Sequence, residues 1–553
     1  MVMCYWPCGH GCERRFRIGL GWGLVLLLGA LLGAACPSLA ATLASEVDMQ
    51  ALMTKLGVPL AVTERPPWPA SPGSSVAVTL IPQVDAPGAY IVSFGLPFGP
   101  GWLADDLLIR VTDDGGRELS TFTRPLARWW GDPEHSSLRS VLVQFEVPLP
   151  ARSPRTVVVT WDRPRTARRR LATPIADTQA VLDQRPRDDS GRYLAFQYHC
   201  PRVLVVLPAD WLCASLLAWQ QVPTKRNTIA PWFDEDLEAS FADSLPNMSA
   251  ADYSAHLFDR PATYFKLYVR SGEERHLLAG LRAVEFYLQH VGEDGFFDLK
   301  PDRDVKYVFT EGFALAYLLT GDERYQEGIT RALKAWATHQ RIEYQGEGFW
   351  TERHHGFGML AYLHAYEVSG DPLLLANARR YFEAVWSLQT RPLHGGEPDG
   401  AWLHTSESHS ERSGGWITSP WMSAFLVDAI WKYWMLSGDP RAPVSLAMYA
   451  TFTLRHSLSE DGKSLLYLAS SPGLGEGRPE SGASHNMEGC YLLAMGHYLT
   501  QGREPRCLEA IEGLRMPMTG EDANSPTRKF TWRFRETSML VWFLQQAGSR
   551  GDS

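Results

Sequence analysis

The chain has 553 residues, 45% hydrophobic and 21% charged, which is enough apolar side chain to bury several cores and too much for a disordered polymer. Its 20 Trp, 20 Tyr and 23 Phe supply flat apolar faces that fill cores and also stack on sugar rings. The formal charge of −9 becomes −11 once residues 1–40 are set aside; that balance opposes a general polyanion-binding surface and excludes nucleic acid as the expected partner.

Residues 1–41 read as an export signal. Arg14, Arg15 and Arg17 precede the apolar run Ile18 to Ala35, and Ser38-Leu39-Ala40 offers small residues for cleavage near Ala40 or Ala41. The expected location is periplasmic or secreted, with no stable transmembrane anchor after processing. A retained anchor is the competing reading, since the run approaches the ~20 residues that span a bilayer, and Cys36 fits a lipid attachment only loosely. Four cysteines fall in the leader, leaving Cys200, Cys213, Cys490 and Cys507, either as the local pairs Cys200–Cys213 and Cys490–Cys507 or as buried thiols.

Residues 42–73 read as a linker and 74–230 as a β domain. Short β-branched runs recur at Val76–Leu80, Leu107–Val111, Val141–Phe145, Val157–Val159 and Val203–Leu207, with Asp113-Asp114-Gly115-Gly116 placed as a tight hairpin connection. The arginines between Arg152 and Arg170 read as a solvated loop face.

From 231 to 548 the texture changes to long segments of helical period. Ser271-Gly272-Glu273, Thr320-Gly321-Asp322, Ser369-Gly370-Asp371, Ser437-Gly438-Asp439 and Gln501-Gly502-Arg503 each follow an aromatic helix end (Tyr268, Tyr317, Tyr366, Trp434, Tyr498). Gly supplies a left-handed cap and the acid favours the next helix start. With a last helix ending at Ala547-Gly548, the Gly spacings are 49, 49, 68, 64 and 46, the mark of tandem helical hairpins. Six such units close into an (α/α)6 toroid. The expected fold is therefore multidomain β plus α.

The connections at the other end are long (290–309, 341–353, 390–415, 458–484 and 514–531), so the starts of the inner helices, with their partial positive charge, gather around one mouth. The segments there are Tyr307–Glu311, Trp350–Gly356, Glu407–Trp416, Ser484–Glu488 and Trp532–Glu536. The candidate catalytic residues are His354, His485, Tyr307, Arg353 and Glu411. Candidate substrate contacts are Trp350, Glu352, His355, His409, Arg412, Trp416, Asn486, Glu488 and Arg535. Adjacent His354 and His355 diverge by ~100° on a helix, so one faces the lumen and the other the core. Trp402 and Trp421 join Trp350 and Trp416 as possible paving, whereas Trp336, Trp386, Trp431, Trp434 and Trp542 fit core periodicity. Glu311 reads as a first-turn acid. Asp302-Arg303-Asp304 has too few oxygen ligands nearby for calcium, and neither metal nor cofactor is expected.

Two chemistries fit such a mouth. A polysaccharide lyase needs Arg, Asn or His against a uronate carboxylate, plus a base and an acid; Arg353, Arg412, Asn486, His354, His485 and Tyr307 match these needs. A glycoside hydrolase needs two carboxyl groups about 5–9.5 Å apart, from among Glu352, Glu411 and Glu488. The abundance of His and Arg favours an anionic polysaccharide or oligosaccharide and elimination. A glycan-binding envelope protein without catalysis is the reading from another class.

The β segment, with Leu96-Pro97-Phe98-Gly99-Pro100-Gly101, Asp113-Asp114-Gly115-Gly116 and Arg128-Trp129-Trp130-Gly131-Asp132, resembles the N-terminal RIFT barrel of exo-type rhamnogalacturonan lyases. The helical half, with Arg353-His354-His355-Gly356 and Gly415-Trp416, is similar to the toroid of those lyases, and also to unsaturated-uronide hydrolases and heparinase-like lyases. The resemblance implies a carbohydrate-active enzyme more firmly than it implies rhamnogalacturonan.

Overall fold

The computed structural model describes residues 47–130, 137–184, 193–245, 248–339, 342, 351–409, 415–479, 483–515 and 526–548. The leader segment 1–41 lies outside these residues, as do Trp350, Glu411 and Arg412. The fold occupies the second of two compact units, residues 49–553. Among the described residues no helix is long and apolar enough to cross a membrane.

Within the expected linker a helix forms, α1 (Met49–Leu56), and the Ala61 and Val62 N–H groups that follow donate to the Leu499 carbonyl. The β segment contains β1 (Ser75–Pro82), β2 (Gly88–Pro97), β3 (Arg110–Thr112), β4 (Thr121–Arg128), β5 (Leu138–Leu149), β6 (Arg155–Thr160), β7 (Gln179–Gln184), β8 (Phe196–Pro201) and β9 (Val203–Val206). They form separate antiparallel sheets, β3-β6-β1-β9, β2-β5-β4 and β7-β8, a pairing that does not confirm the RIFT barrel implied by the resemblance. β1 alternates buried and more exposed residues, as a strand with one covered face does. β5 is buried on both faces from Leu138 to Phe145. Asp113 closes the expected hairpin by accepting from the Gly115 and Arg117 N–H groups.

After α2 (Ala209–Ala214) and α3 (Pro231–Ser244) come the paired helices α4 (Arg260–Ser271) and α5 (Glu274–Gln289), α6 (Glu311–Thr320) and α7 (Glu323–Thr338), α8 (Glu352–Ser369) and α9 (Pro372–Thr390), α10 (Pro420–Ser437) and α11 (Arg441–His456), and α12 (Asn486–Leu499) and α13 (Arg506–Arg515). The chain ends in α14 (Pro526–Phe534) and α15 (Leu540–Gly548). The first members of the pairs pack in sequence, α4 on α6, α6 on α8, α8 on α10 and α10 on α12. α12 packs on α15, α14 returns to α4, and α3 lies against α14 as its outer partner. The ring thus closes by pairing the first helix of the array with the last. Inner helices are buried on all sides, as in α10 from Pro420 to Leu436, because each is walled by two neighbours, an outer helix and the axis.

The repeated turns behave as their chemistry requires. Gly272, Gly321, Gly370 and Gly438 have φ of 66°, 71°, 72° and 70°, and their N–H groups donate to the carbonyls of Tyr268, Tyr317, Tyr366 and Trp434. Asp322, Asp371 and Asp439 then accept from the N–H two residues on, capping the outer helices. The fifth turn differs: Gln501 also takes a positive φ, and Gly502 donates to His497.

The β layers dock on these turns. The Ser140 hydroxyl donates to the Leu318 carbonyl at 2.6 Å, and Leu142 and Trp130 pack on Gly321 and Gly370. Arg139 of β5 reaches Glu367 of α8 at 2.9 Å with both side chains buried. The four cysteines are buried free thiols, and burial pushes each thiol up.

At the toroid axis the inner ring is tied by charge. Glu311 of α6 meets Lys266 of α4 at 3.2 Å, Lys432 of α10 at 3.0 Å and Arg535, just after α14, at 2.7 Å. Arg535 also binds Asp428 at 2.8 Å. His364 of α8 accepts from Lys432 through Nε2 at 2.8 Å and lies 2.9 Å from the Thr310 hydroxyl through Nδ1. Burial would raise the Glu311 carboxyl, but Arg535, Lys266 and Lys432 overcome it and hold the group well below the carboxylate range.

Gly438→Ala should cost about 1–2 kcal/mol in chemical denaturation, the left-handed penalty alone, because only the flexible Arg65 side chain lies near the new methyl. Gly272→Ala should cost more, since its methyl would sit 2.8 Å from the Ala209 nitrogen. Glu311→Gln should cost about 3–5 kcal/mol by leaving buried cations uncompensated, and adding Lys432→Met should recover part of that loss in a double-mutant cycle.

Candidate active site

Because the hairpins are antiparallel and the β layers cover the short turns, the long connections emerge at the opposite end. Two of them are stiffened by small ladders, β10 (His404–Thr405) with β11 (Trp416–Ile417) and β12 (Leu466–Leu468) with β13 (Arg478–Pro479). A bridge between Thr418 and Ala469 joins the two connections. This gives the mouth a wall built from backbone hydrogen bonds.

The floor is aromatic. Phe258 stacks on Phe425 at 5.4 Å and meets Trp421 and Trp532 edge-on; Phe357 packs on Phe425 and on Phe309. Phe258 and Asp259 adopt φ of 81° and 54°, a backbone costing roughly 1–3 kcal/mol that persists only where its surroundings hold it. The Asp259 carboxylate does so by accepting from the Ala262 and Gly312 N–H groups.

Arg353 and His354 begin α8 beside this floor. The Arg353 guanidinium lies 5.6 Å from the Phe258 ring and 5.5 Å from that of Trp421. His354 is 3.0 Å from the Thr351 hydroxyl through Nδ1 and 3.7 Å from Asp304 through Nε2. Burial lowers the His354 pKa from 6.5 against the opposing pull of Asp304, so the imidazole is neutral at neutral pH. Asp304 accepts from the Lys306 N–H and pairs with its ammonium at 2.7 Å. Burial opposes its ionisation, yet His354 and Lys306 hold it far below the carboxylate range.

Tyr307 stacks on Phe297 and meets Tyr253 edge-on. Burial pushes its phenol up to about 12 despite Arg528 and Arg353 nearby, so it carries its proton at neutral pH. His485 stacks on Trp421 at 4.2 Å, lies 5.4 Å from Trp532, and approaches Glu488 at 3.2 Å through Nδ1. The structure thus brings Arg353, His354, Tyr307 and His485 to one aromatic-lined mouth.

Other sequence candidates are engaged in contacts of their own. Glu352 accepts from the Thr418 hydroxyl, the Ser419 N–H and His404, anchoring the β10–β11 connection. Asn486 spends its amide on the Leu465 N–H and the Lys463 and Leu514 carbonyls. His355 binds the Tyr381 carbonyl in the wall between α8 and α9, the core partner that its neighbour's position demands. Arg535 belongs to the axial ion cluster. Glu488 is fully buried and lies 3.2 Å from His485. Trp402 is a core residue, stacked on Tyr449 at 3.9 Å with its indole N–H on Ser423. Trp416, in β11, packs on His394 at the outer wall. His409 ends a short 3-10 turn.

Arg528, Tyr467, Arg478 and Tyr253 escaped sequence reasoning. Arg528 lies over the Phe258 and Trp532 rings at 6.0 and 5.6 Å, Arg478 over Tyr467 at 5.1 Å, and Lys300 over Tyr253 at 4.8 Å. Arg528, Arg478 and Tyr467 fall within the long connections, a signal too diffuse to single them out, and Tyr253 lies outside those connections. Among the described residues no group of three or more His, Cys, Asp or Glu side chains could hold a metal.

No family model and no curated protein matches the chain. Among solved structures it is similar to a glycosyl hydrolase family 88 protein from Bacteroides vulgatus, with 11% identity and a TM-score of 0.40 over 56% of this chain and 99% of that one. It is also similar to an unsaturated glucuronyl hydrolase specific for heparin, with 10% identity and a TM-score of 0.41 over 57% and 98%. A cellobiose 2-epimerase from Spirochaeta thermophila gives 13% identity and a TM-score of 0.39 over 58% and 99%. Likenesses this distant decide neither reaction nor substrate.

Proposed function

We propose that the protein is an exported carbohydrate-active enzyme that cleaves a uronic-acid-containing polysaccharide by β-elimination at the toroid mouth. The observation that carries this reading is the pairing of a neutral imidazole, His354, with a protonated phenol, Tyr307, beside guanidinium groups on an aromatic floor. Elimination needs the C5 proton of the uronate made removable, a base to take it and an acid for the leaving oxygen. Arg353 stabilises charge that develops on the carboxylate as C5 loses its proton. His354, oriented by Thr351 and Asp304, accepts that proton, and Tyr307 protonates the departing glycosidic oxygen; His485 is the second imidazole within the mouth. The C5 electron pair becomes the new C4–C5 double bond as the C4–O bond breaks. Hydrolysis by a carboxyl pair has less support, because Glu352 is buried with its Oε1 anchored by Thr418, Ser419 and His404, and Glu488 is fully buried against His485.

Incubating the leaderless protein with acidic and neutral polysaccharides should raise the ultraviolet absorbance of unsaturated uronides in step with new reducing ends, on acidic chains only. Reducing ends without absorbance would replace elimination by hydrolysis, and silence on both would favour binding without catalysis. His354→Ala and Tyr307→Phe should each lower turnover by about 10²–10⁴. Because burial lowers the His354 pKa, the base is deprotonated at and above 6.5, and the acid limb of the pH–rate profile should lie below the ordinary histidine value. A limb that stays in place in His354→Ala would remove this residue as the base.

A further inference from the structure

A serine, a histidine and a glutamate of the mouth wall stand in one hydrogen-bonded line. The Ser408 hydroxyl lies 2.8 Å from His404 Nδ1, and His404 Nε2 lies 3.0 Å from Glu352 Oε1. His404 and Glu352 are 1% and 2% exposed, whereas Ser408 is only partly buried. This is the arrangement of an activated nucleophile: a reachable hydroxyl, a base within hydrogen-bond distance, and a third group that orients the base.

The proton positions follow from Glu352. Its Oε1 accepts from the Ser419 N–H and the Thr418 hydroxyl, each at 2.6 Å, and so it faces His404 as an acceptor too. His404 Nε2 therefore carries the ring proton, and in a neutral imidazole Nδ1 is left with its lone pair for the Ser408 proton. The Thr405 carbonyl is a second acceptor, 2.7 Å from Ser408 Oγ, and a hydroxyl rotates between two such acceptors. Backbone structure fixes the spacing. His404 pairs with Ile417 in the β10–β11 ladder, Ser408 lies in the short 3-10 turn Ser406–His409 that follows, and Glu352 opens α8.

A similar pair at another turn lacks the third link. Ser271 lies 2.7 Å from His276 Nδ1, but its oxygen accepts from the Glu273 N–H at a helix start, and His276 Nε2 has no hydrogen-bond partner. That serine serves its turn. The Ser408 hydroxyl has His404 and Thr405 as its partners among the described residues, and no backbone N–H claims its lone pairs.

We propose that Ser408, His404 and Glu352 form a second catalytic centre, one that hydrolyses short acyl esters carried on sugar hydroxyl groups. Ser408 Oγ attacks the ester carbonyl carbon as its proton passes to His404 Nδ1. The C–O bond to the sugar then breaks, the sugar oxygen leaves with that proton, and the acyl group stays on Oγ. Water attacks the acyl-serine next, giving one proton through His404 back to Ser408 Oγ and releasing the carboxylic acid. Glu352 is a positioning residue, holding the imidazole in the required tautomer and offsetting its charge as it forms. A partly buried hydroxyl suits a small acyl group. The sugar as acyl carrier is taken from the reading of the mouth as a glycan site; the ester chemistry depends neither on that reading nor on elimination.

The test is to treat the leaderless protein with a fluorophosphonate probe, locate the label by peptide mass, and follow hydrolysis of 4-nitrophenyl acetate and acetate release from glucose pentaacetate. Ser408 should carry the label, and Ser408→Ala should lose it together with acetate release from both esters. His404→Gln should slow labelling by about 100-fold. Glu352→Gln should lower kcat for 4-nitrophenyl acetate by about tenfold or more with KM unchanged, because Glu352 touches the base and not the ester. No label, a label on another residue, or hydrolysis by Ser408→Ala equal to that of the wild type would each overturn the centre. Ser408-dependent hydrolysis of 4-nitrophenyl acetate with glucose pentaacetate untouched would overturn the sugar as acyl carrier and leave the esterase standing. Should His404→Gln fail to fold, the position of the label and Ser408→Ala decide the question alone.

Discussion

One carboxylate sets the geometry of the helical ring. Glu311 begins α6 and receives cations from α4, α10 and the end of α14, while His364 of α8 holds one of those cations in place. Side chains from five inner helices therefore converge on a single buried point, and a helix that slipped along its axis would strand a charge in a medium where that is costly. Hydrophobic packing alone is tolerant of such slips, because one aliphatic side chain replaces another with little loss. The ion cluster is what makes the register of the ring unique. One of these helices, α8, carries Arg353 and His354 at its mouth end, so their positions are inherited from the axis.

Charge on the axis has to be kept from water, and the aromatic floor does this. Arg535 lies 5.8 Å from the Phe357 ring on the axial side, and Arg353 lies 5.6 Å from the Phe258 ring on the mouth side, with Phe425 packed between the two rings. One layer of rings thus separates two cationic environments with opposite tasks. Below it, Lys266, Lys432 and Arg535 share the Glu311 carboxylate, and burial together with the nearby Glu488 drives Glu536 well above the ordinary carboxylate range. Above it, the Arg353 guanidinium has ring faces in place of a carboxylate.

The fold was legible where its chemistry is local. Gly in the left-handed region after an aromatic helix end is a four-residue signal, and four of the turns carry it with φ between 66° and 72°. β2 and β4 were not legible, because Gly88, Gly95, Pro97 and Pro125 interrupt them. Gly95 is required for a reason outside the strand: a methyl there would lie 2.0 Å from the Leu318 carbonyl oxygen. In the site, position at an inner-helix start was enough to single out Arg353, His354 and His485. It could not separate them from Glu352, His355 and Asn486, which occupy equivalent positions but turn to neighbouring helices and connections. Arg528 and Phe258 come from opposite ends of the helical array and meet only because the ring closes.

That closure also makes the protein one-sided. The glycine turns present a face without Cβ atoms, onto which β5 and its neighbours pack so closely that Ser140 reaches the Leu318 carbonyl. The opposite end carries the long connections and the helix starts, whose unpaired N–H groups add partial positive charge. The β layers and the aromatic floor close the toroid below the mouth, and a charge placed in the mouth therefore meets a low-dielectric base and cationic walls. A charge that entered such a setting would be screened less than in bulk water.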